Sequence, residues 1–224
     1  MKILILGGDG YLGWPTSLYF SNQNHDVLIV DNFIKRKLQK KFQRYSLFKN
    51  YTLKEKINEW KKVSKKNIEY KEIDATNYKS VLNIFKKFKP DAVIHFAEQP
   101  SAPLSMLDYN NANFTLQNNL VSTLNICYAI KETKLDTHII KLGTMGEYGT
   151  PNIDIEEGYL KIKHKKRSDI FLYPRKGSSL YHTTKIQDTD LLYFYSRTWG
   201  LRVTDLMQGP VYGFDTNEMV VVAS

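Results

Sequence analysis

The chain has 224 residues, 42% of them hydrophobic and 25% charged, which is ordinary for a globular protein and enough for one large α/β domain with a sizeable core. A single cysteine, Cys127, excludes an internal disulfide, and no apolar run of about 18 residues is present to cross a membrane as a helix. The net charge of +9 is local: residues 33–67 carry 13 Lys/Arg against Glu55 and Glu59, and the rest of the chain is slightly acidic.

Residues 2–6 (KILIL) read as a short buried strand. Its start at residue 2 predicts no signal or transit peptide and a cytoplasmic protein. The turn Gly7-Gly8-Asp9-Gly10-Tyr11-Leu12-Gly13 follows at once, with glycines in the spacing G-x-x-G-x-x-G. The first glycine permits a tight turn, the second lets backbone approach a pyrophosphate, and the third lets helix pack on strand. A helix opening near Tyr11 and Leu12 would aim free N–H groups at the phosphates. A second strand, Val27–Val30, ends in Asp31, whose carboxylate suits the two ribose hydroxyls of NAD and opposes the 2′-phosphate of NADP. Asn32 and Arg36 are within reach of the adenosine half, although a basic loop describes them equally well.

The basic stretch 33–67 reads as a solvated, lysine-rich excursion between two strands, anchored by Phe42, Tyr45, Phe48 and Trp60; no nucleic-acid binding is expected of it. The alternation then continues with a strand at Ile68–Ile73, a helix from Asn77 to Phe88 and a strand at Asp91–Phe96. A long helix follows at Asn113–Thr133, in which Cys127 falls in apolar register, and then a strand at His138–Leu142. Gly158–His164 and Asp169–Tyr173 are expected to form a hairpin around Lys165–Ser168, within a substrate-side segment 152–180. A helix at Tyr181–Thr198 and a strand at Leu201–Leu206 complete the pattern. Strands alternating with helices predict an α/β fold, a Rossmann-like doubly wound parallel sheet with helices on both faces. In such a sheet ligands gather at the carboxyl ends of the strands. That edge would carry Gly7, Asp31, Asp74 with Ala75 for the adenine, Ala97 with Glu98 for the nicotinamide ribose, and Thr144.

Tyr181 and Lys185 stand at i and i+4, so both project from one helix face. An ammonium beside a phenol favours phenolate. With the hydroxyl of Thr144, the pair can move a proton on or off a sugar alcohol during hydride transfer.

The segments GGDGYLGW, HFAEQPSAPLSM, KLGTMGEYGTPNIDIEEGY, YHTTK and TDLMQGPVYG together resemble the extended short-chain dehydrogenase/reductases that act on nucleotide sugars. The likeness covers essentially all of 1–214. It is closest to a branch of that family that joins sulfite to UDP-glucose, and the TMGEYGTPNIDIEEGY block is its most specific part. The resemblance implies bound NAD recycled within one turnover. Tyr181 would take the proton of the sugar 4-hydroxyl while hydride leaves C4. The 4-ketone would acidify C5, water would leave from C6, sulfite would add to the alkene, and hydride would return to C4. Glu147 would serve as acid/base for the elimination, with His182 assisting near C6. Asn118 and Val211 match family positions at the cofactor, and Gln99 and Gln208 match positions at the sugar. Related dehydratases carry Asp-Glu after the Thr; here Met145 and Gly146 precede Glu147. Pro100 stands where the branch has an arginine.

The implied partners are UDP-glucose, sulfite and a sulfite-donating protein, with a homodimer in the full-length form and no metal. The family continues well beyond Ser224, so residues 1–224 are expected to form the NAD-binding domain with most of the substrate domain missing. That loss predicts weak sugar binding and an exposed apolar end near Val220–Val222. Two other readings compete: a nucleotide-sugar 4-epimerase or 4,6-dehydratase, and a non-catalytic NAD-binding protein.

Overall fold

The computed structural model describes residues 1–43, 51–154 and 158–211. Its main sheet holds six strands: β1 (Lys2–Leu6), β2 (Asp26–Asp31), β3 (Glu69–Glu72), β4 (Ala92–His95), β5 (His138–Thr144) and β8 (Val203–Gln208). All neighbours are parallel, in the order β3-β2-β1-β4-β5-β8. The expected Rossmann-like sheet is therefore present. Strands β6 (Tyr159–His164) and β7 (Arg167–Leu172) form a separate antiparallel hairpin. Its turn is Lys165-Lys166, tighter than the four residues expected.

The central strands are apolar on both faces because both faces are covered. Side chains alternate along a strand. On β1, Leu4 and Leu6 join one core with Phe85, Val93, Ile126 and Leu192, while Ile3 and Ile5 join the other with Val27, Ile29, Leu53 and Ile57. The first core lies under helices α4 (Tyr78–Phe88), α6 (Tyr109–Thr133) and α7 (Leu180–Trp199). Cys127 is fully buried there, and burial raises its thiol pKa to about 12. The second core lies under α1 (Gly13–Asn22) and α3 (Leu53–Ser64), with Trp14, Leu18 and Trp60 packed against it.

Helix α3 corrects the reading of residues 33–67 as a solvated excursion. β2 and β3 are parallel, so the chain must cross over between them, and a short turn cannot do it. α2 (Ile34–Lys41) and α3 make that crossover, and α3 buries Leu53 and Ile57 on the sheet. Trp60 anchors as expected, with its indole N–H donating to Ser21 Oγ at 2.9 Å. Phe42 is 38% exposed and does not anchor. Tyr45, Phe48 and Val220–Val222 lie outside the described residues. Among the described residues no helix is long and apolar enough to cross a membrane, and no cluster of metal-ligating side chains occurs.

Candidate cofactor and active site

Gly7 follows β1 with φ +79°, in the left-handed region. A Cβ there would lie 2.7 Å from the Phe96 carbonyl, so only glycine permits this turn beside β4. A Cβ on Gly13 would overlap the Gly7 carbonyl, so the start of α1 is pressed onto the turn. A Cβ on Gly10 would meet only the Gly7 oxygen, at 3.1 Å, and the backbone there is otherwise open to an approaching group. α1 begins at Gly13, two residues later than expected, after Leu12, and no side chain caps it. An uncapped helix start beside an open glycine turn is a ready anion site.

Asp31 closes this end. Its Oδ2 accepts from the Asp9 N–H at 2.9 Å and its Oδ1 from the Phe33 N–H at 2.8 Å. Burial raises its pKa, opposed by those two donors and by the nearby Arg36. Asn32 Nδ2 donates to Asp74 Oδ2 at 3.1 Å, and Asp74 Oδ1 accepts from the Thr76 N–H and hydroxyl. Asn77, not Asp74, caps α4. Ala75 is buried, its carbonyl accepting from Asn125. Arg36 reaches Asp9 rather than open solvent: Nη2 lies 2.8 Å from Asp9 Oδ1, and Nε pairs with Oδ2.

The loop after β4 is tied down by the amides of α6. Asn118 Nδ2 donates to the Ala97 carbonyl at 3.2 Å. Asn119 accepts from the Gln99 N–H at 2.8 Å and donates to Thr184 Oγ1 at 3.0 Å, linking the loop to α7. Gln99 was expected to face the sugar, yet the structure buries it. Its amide nitrogen donates to Thr115 Oγ1 and the Ser101 carbonyl, and its oxygen accepts from the Ser101 N–H. Its polar atoms are occupied in shaping the loop.

Thr144 ends β5, opposite Gln208 of β8, and its Oγ1 accepts from the Gly146 N–H at 3.1 Å, opening a single 3-10 turn at Met145–Glu147. A Cβ on Gly146 would run into His182 Nε2, so this turn lies against the start of α7. That start is capped by Ser179, which accepts from the His182 N–H at 3.1 Å, while the Tyr181 N–H donates to Ser105 Oγ at 3.1 Å. Tyr181, His182 and Thr144 are thereby gathered at one place. His182 Nδ1 lies 3.0 Å from both Ser178 Oγ and Ser179 Oγ, and burial lowers its pKa. Val211 is the last described residue, just beyond Gln208.

Two features of this end differ from expectation. The Lys185 ammonium is paired with Glu98, on the loop after β4. The Tyr181 phenol pKa is raised, by burial first and the Glu98 charge second, not lowered as the nearby lysine suggested. Glu147 is the second. Its carboxylate is fully buried behind the Thr144 turn, 3.3 Å from Lys141 Nζ and 3.7 Å from Arg175 Nε, with Thr189 Oγ1 donating to it. Lys141 itself is wholly buried and also bonds Asp205 at 3.2 Å and the Lys185 carbonyl at 3.0 Å. Placed this way, Glu147 pins the turn that carries Thr144. Lys141, Asn119 and Asp9 went unassigned from sequence, and Glu98 was expected at the nicotinamide ribose rather than as the partner of Lys185, because long-range pairing leaves no local pattern.

A glycine cradle, an acid at the end of β2 and a Thr/Tyr/Lys set on the carboxyl edge of one doubly wound sheet define a dinucleotide-binding domain. Residues 3–221 match the NAD dependent epimerase/dehydratase family, and the chain belongs to it. It is 45% identical to the chloroplastic UDP-sulfoquinovose synthase of Spinacia oleracea, over 97% of this chain and 45% of that protein. It is 44% identical to the UDP-sulfoquinovose synthase of Sulfolobus acidocaldarius, over 98% of this chain and 56% of that protein. The chain thus spans about half the length of these relatives. Among solved structures, it superposes on the UDP-glucose 4-epimerase of Thermotoga maritima crystallised with UDP-glucose, with a TM-score of 0.69 at 21% identity, covering 96% of this chain and 58% of that one. The NAD complex of the Thermus thermophilus enzyme of the same name gives 0.67 at 21%, covering 95% and 56%.

Proposed function

We propose that this chain is the NAD-binding, tyrosine-bearing part of a UDP-sulfoquinovose synthase, which makes UDP-6-sulfoquinovose from UDP-glucose and sulfite. The observation that carries the reading is the 45% and 44% identity to two enzymes of that name, against 24–28% for epimerases and dehydratases of the same family. The residues present fit NAD: the open Gly10 backbone and uncapped α1 suit the pyrophosphate, and Asp31 suits the ribose diol. When bound, NAD supplies the acceptor for the C4 hydride and its return.

Tyr181 takes the proton of the 4-hydroxyl, with Thr144 as a second hydrogen-bonding group on that oxygen. Lys185 counters the charge that develops on the phenol oxygen, and Glu98 sets where its ammonium rests. The elimination moves a proton from C5 and expels the C6 hydroxyl as water. His182, whose pKa partial burial lowers and which two serine hydroxyls hold, is the side chain beside Tyr181 that would accept or return that proton. Gln208 faces the sugar, and Val211 and Asn118 the cofactor. Sulfite, a donor protein for it and pairing of two full-length copies belong to the same proposal.

The test is incubation of the full-length protein with UDP-glucose, with and without sulfite, and mass analysis of the product. A sulfonated nucleotide sugar formed only with sulfite, and lost in Tyr181→Phe, is expected. UDP-galactose formed equally well without sulfite would replace this reading by a 4-epimerase.

A further inference from the structure

The carboxylate of Asp9 lies inside the glycine turn, between Gly8 and Gly10, where a phosphate-binding loop gains nothing from negative charge. Its side chain is 6% exposed and holds two cations from the crossover segment. Arg36 grips both oxygens, and Lys56 Nζ lies 2.8 Å from Oδ1. Arg36 also donates to the Tyr51 carbonyl at 2.8 Å, and Lys56 lies 5.3 Å over the Trp14 ring on α1. The backbone N–H of this same Asp9 donates to Asp31, the ribose-binding acid. Two cations therefore stand one residue away from the group that would grip the ribose diol. A guanidinium and an ammonium at that place are what a 2′-phosphate needs. Asp9 already engages both.

We propose that Asp9 is a second specificity-determining carboxylate: by occupying Arg36 and Lys56 beside Asp31, it denies a 2′-phosphate its counter-charges and makes the site select NAD over NADP. The inference rests on the NAD reading above. A purely mechanical role, in which Asp9 only fastens the glycine turn to α3, would affect both dinucleotides alike. The two roles therefore separate in the ratio of affinities.

The experiment is calorimetric titration of the protein with NAD and with NADP. The unmodified protein should bind NAD and discriminate strongly against NADP. Asp9→Asn should raise NADP affinity about tenfold, the worth of roughly one charge-assisted contact, and change NAD affinity by less than about threefold. Asp9→Asn combined with Lys56→Gln should lose most of that gain, and Asp9→Glu should keep the original preference. If Asp9→Asn does not fold, Lys56→Gln alone decides: with one counter-charge fewer, NADP should bind more weakly still while NAD holds. Equal loss of both cofactors in Asp9→Asn, an unchanged ratio, or a gain indifferent to Lys56 would each overturn the inference. Absence of NAD binding by the unmodified protein would overturn the cofactor reading itself, and the inference with it.

Discussion

At the glycine end of the site, the backbone is open at Gly10 and the charged groups sit nearer the rim. Asp9, Arg36 and Lys56 keep 6%, 24% and 19% exposure. At the tyrosine end the charges are interior: Lys141 and Glu147 are 0% exposed, and Lys185 and Glu98 only 3% and 5%. An ion pair at a rim is screened by water, whereas a buried pair carries a large desolvation cost and collapses when one partner is removed. The glycine end should therefore tolerate charge changes and answer in selectivity. The tyrosine end should answer in stability.

The largest effect tests this contrast directly. Lys141→Met leaves Glu147 and Asp205 without their shared buried cation, and should cost about 3–5 kcal/mol in urea unfolding. Adding Glu147→Gln removes one of the two neighbouring carboxylates that lost Lys141, so the double variant should be more stable than Lys141→Met alone. A loss under about 1 kcal/mol for Lys141→Met would mean that water reaches the cluster, and the contrast between the two ends would fail.

The same contrast explains what the sequence showed. The glycine turn, Asp31 and the strand-helix alternation follow from spacing a few residues long, and the sheet and its carboxyl edge came out where spacing put them. Thr144, Tyr181 and Lys185 lie on the elements that spacing gave them, because two are one helical turn apart and the third ends a strand. The Lys185–Glu98 pair spans 87 positions and the Lys141–Asp205 pair 64, and no periodicity encodes such contacts. The buried partners of Glu147, Lys141 and Arg175, are likewise not announced by its neighbours in sequence. Helix α3 was hidden differently: a run of lysines drew the eye, although Leu53, Ile57 and Trp60 sit on one helical face and Thr52 and Glu55 spell a capping box.

A second, smaller effect is a pH dependence confined to the tyrosine end. His95 is fully buried at the end of β4, with Nε2 3.2 Å from Ser122 Oγ and 3.7 Å from Glu98. Burial lowers its pKa to about 4, against an opposing pull from Glu98 and a further push from Lys185. The folded value lies below the unfolded value of 6.5, so the unfolded chain binds a proton that the native state refuses. The stability this residue contributes is complete above about pH 6.5 and is lost as pH falls toward 4, for about 3 kcal/mol in all. His95→Gln should flatten the fall in unfolding free energy across that window by this order. An unchanged slope would show that the imidazole is not shielded, and that the tyrosine end is wetter than its exposures indicate.

The smallest effect belongs to the glycine end and shows how that end is held. Thr52 Oγ1 accepts from the Glu55 N–H at 3.3 Å while Glu55 Oε2 accepts from the Thr52 N–H at 2.8 Å, so two otherwise open donors at the start of α3 are satisfied together. Thr52→Ala should cost about 1 kcal/mol, the usual worth of such a cap. That loss falls on the first turn of α3, which carries Lys56 to Asp9 and Leu53 to the core. Amide exchange should quicken in residues 53–57 and in the glycine turn, and NAD affinity should fall by less than about threefold, because the backbone cradle of Gly7, Gly10 and Gly13 is set by its packing on β1 and β4 rather than by α3. Exchange in α7, around Tyr181 and Lys185, should not change. If it quickened as much as in α3, the two ends would be one cooperative unit and the division between a tolerant rim and an intolerant interior would be lost.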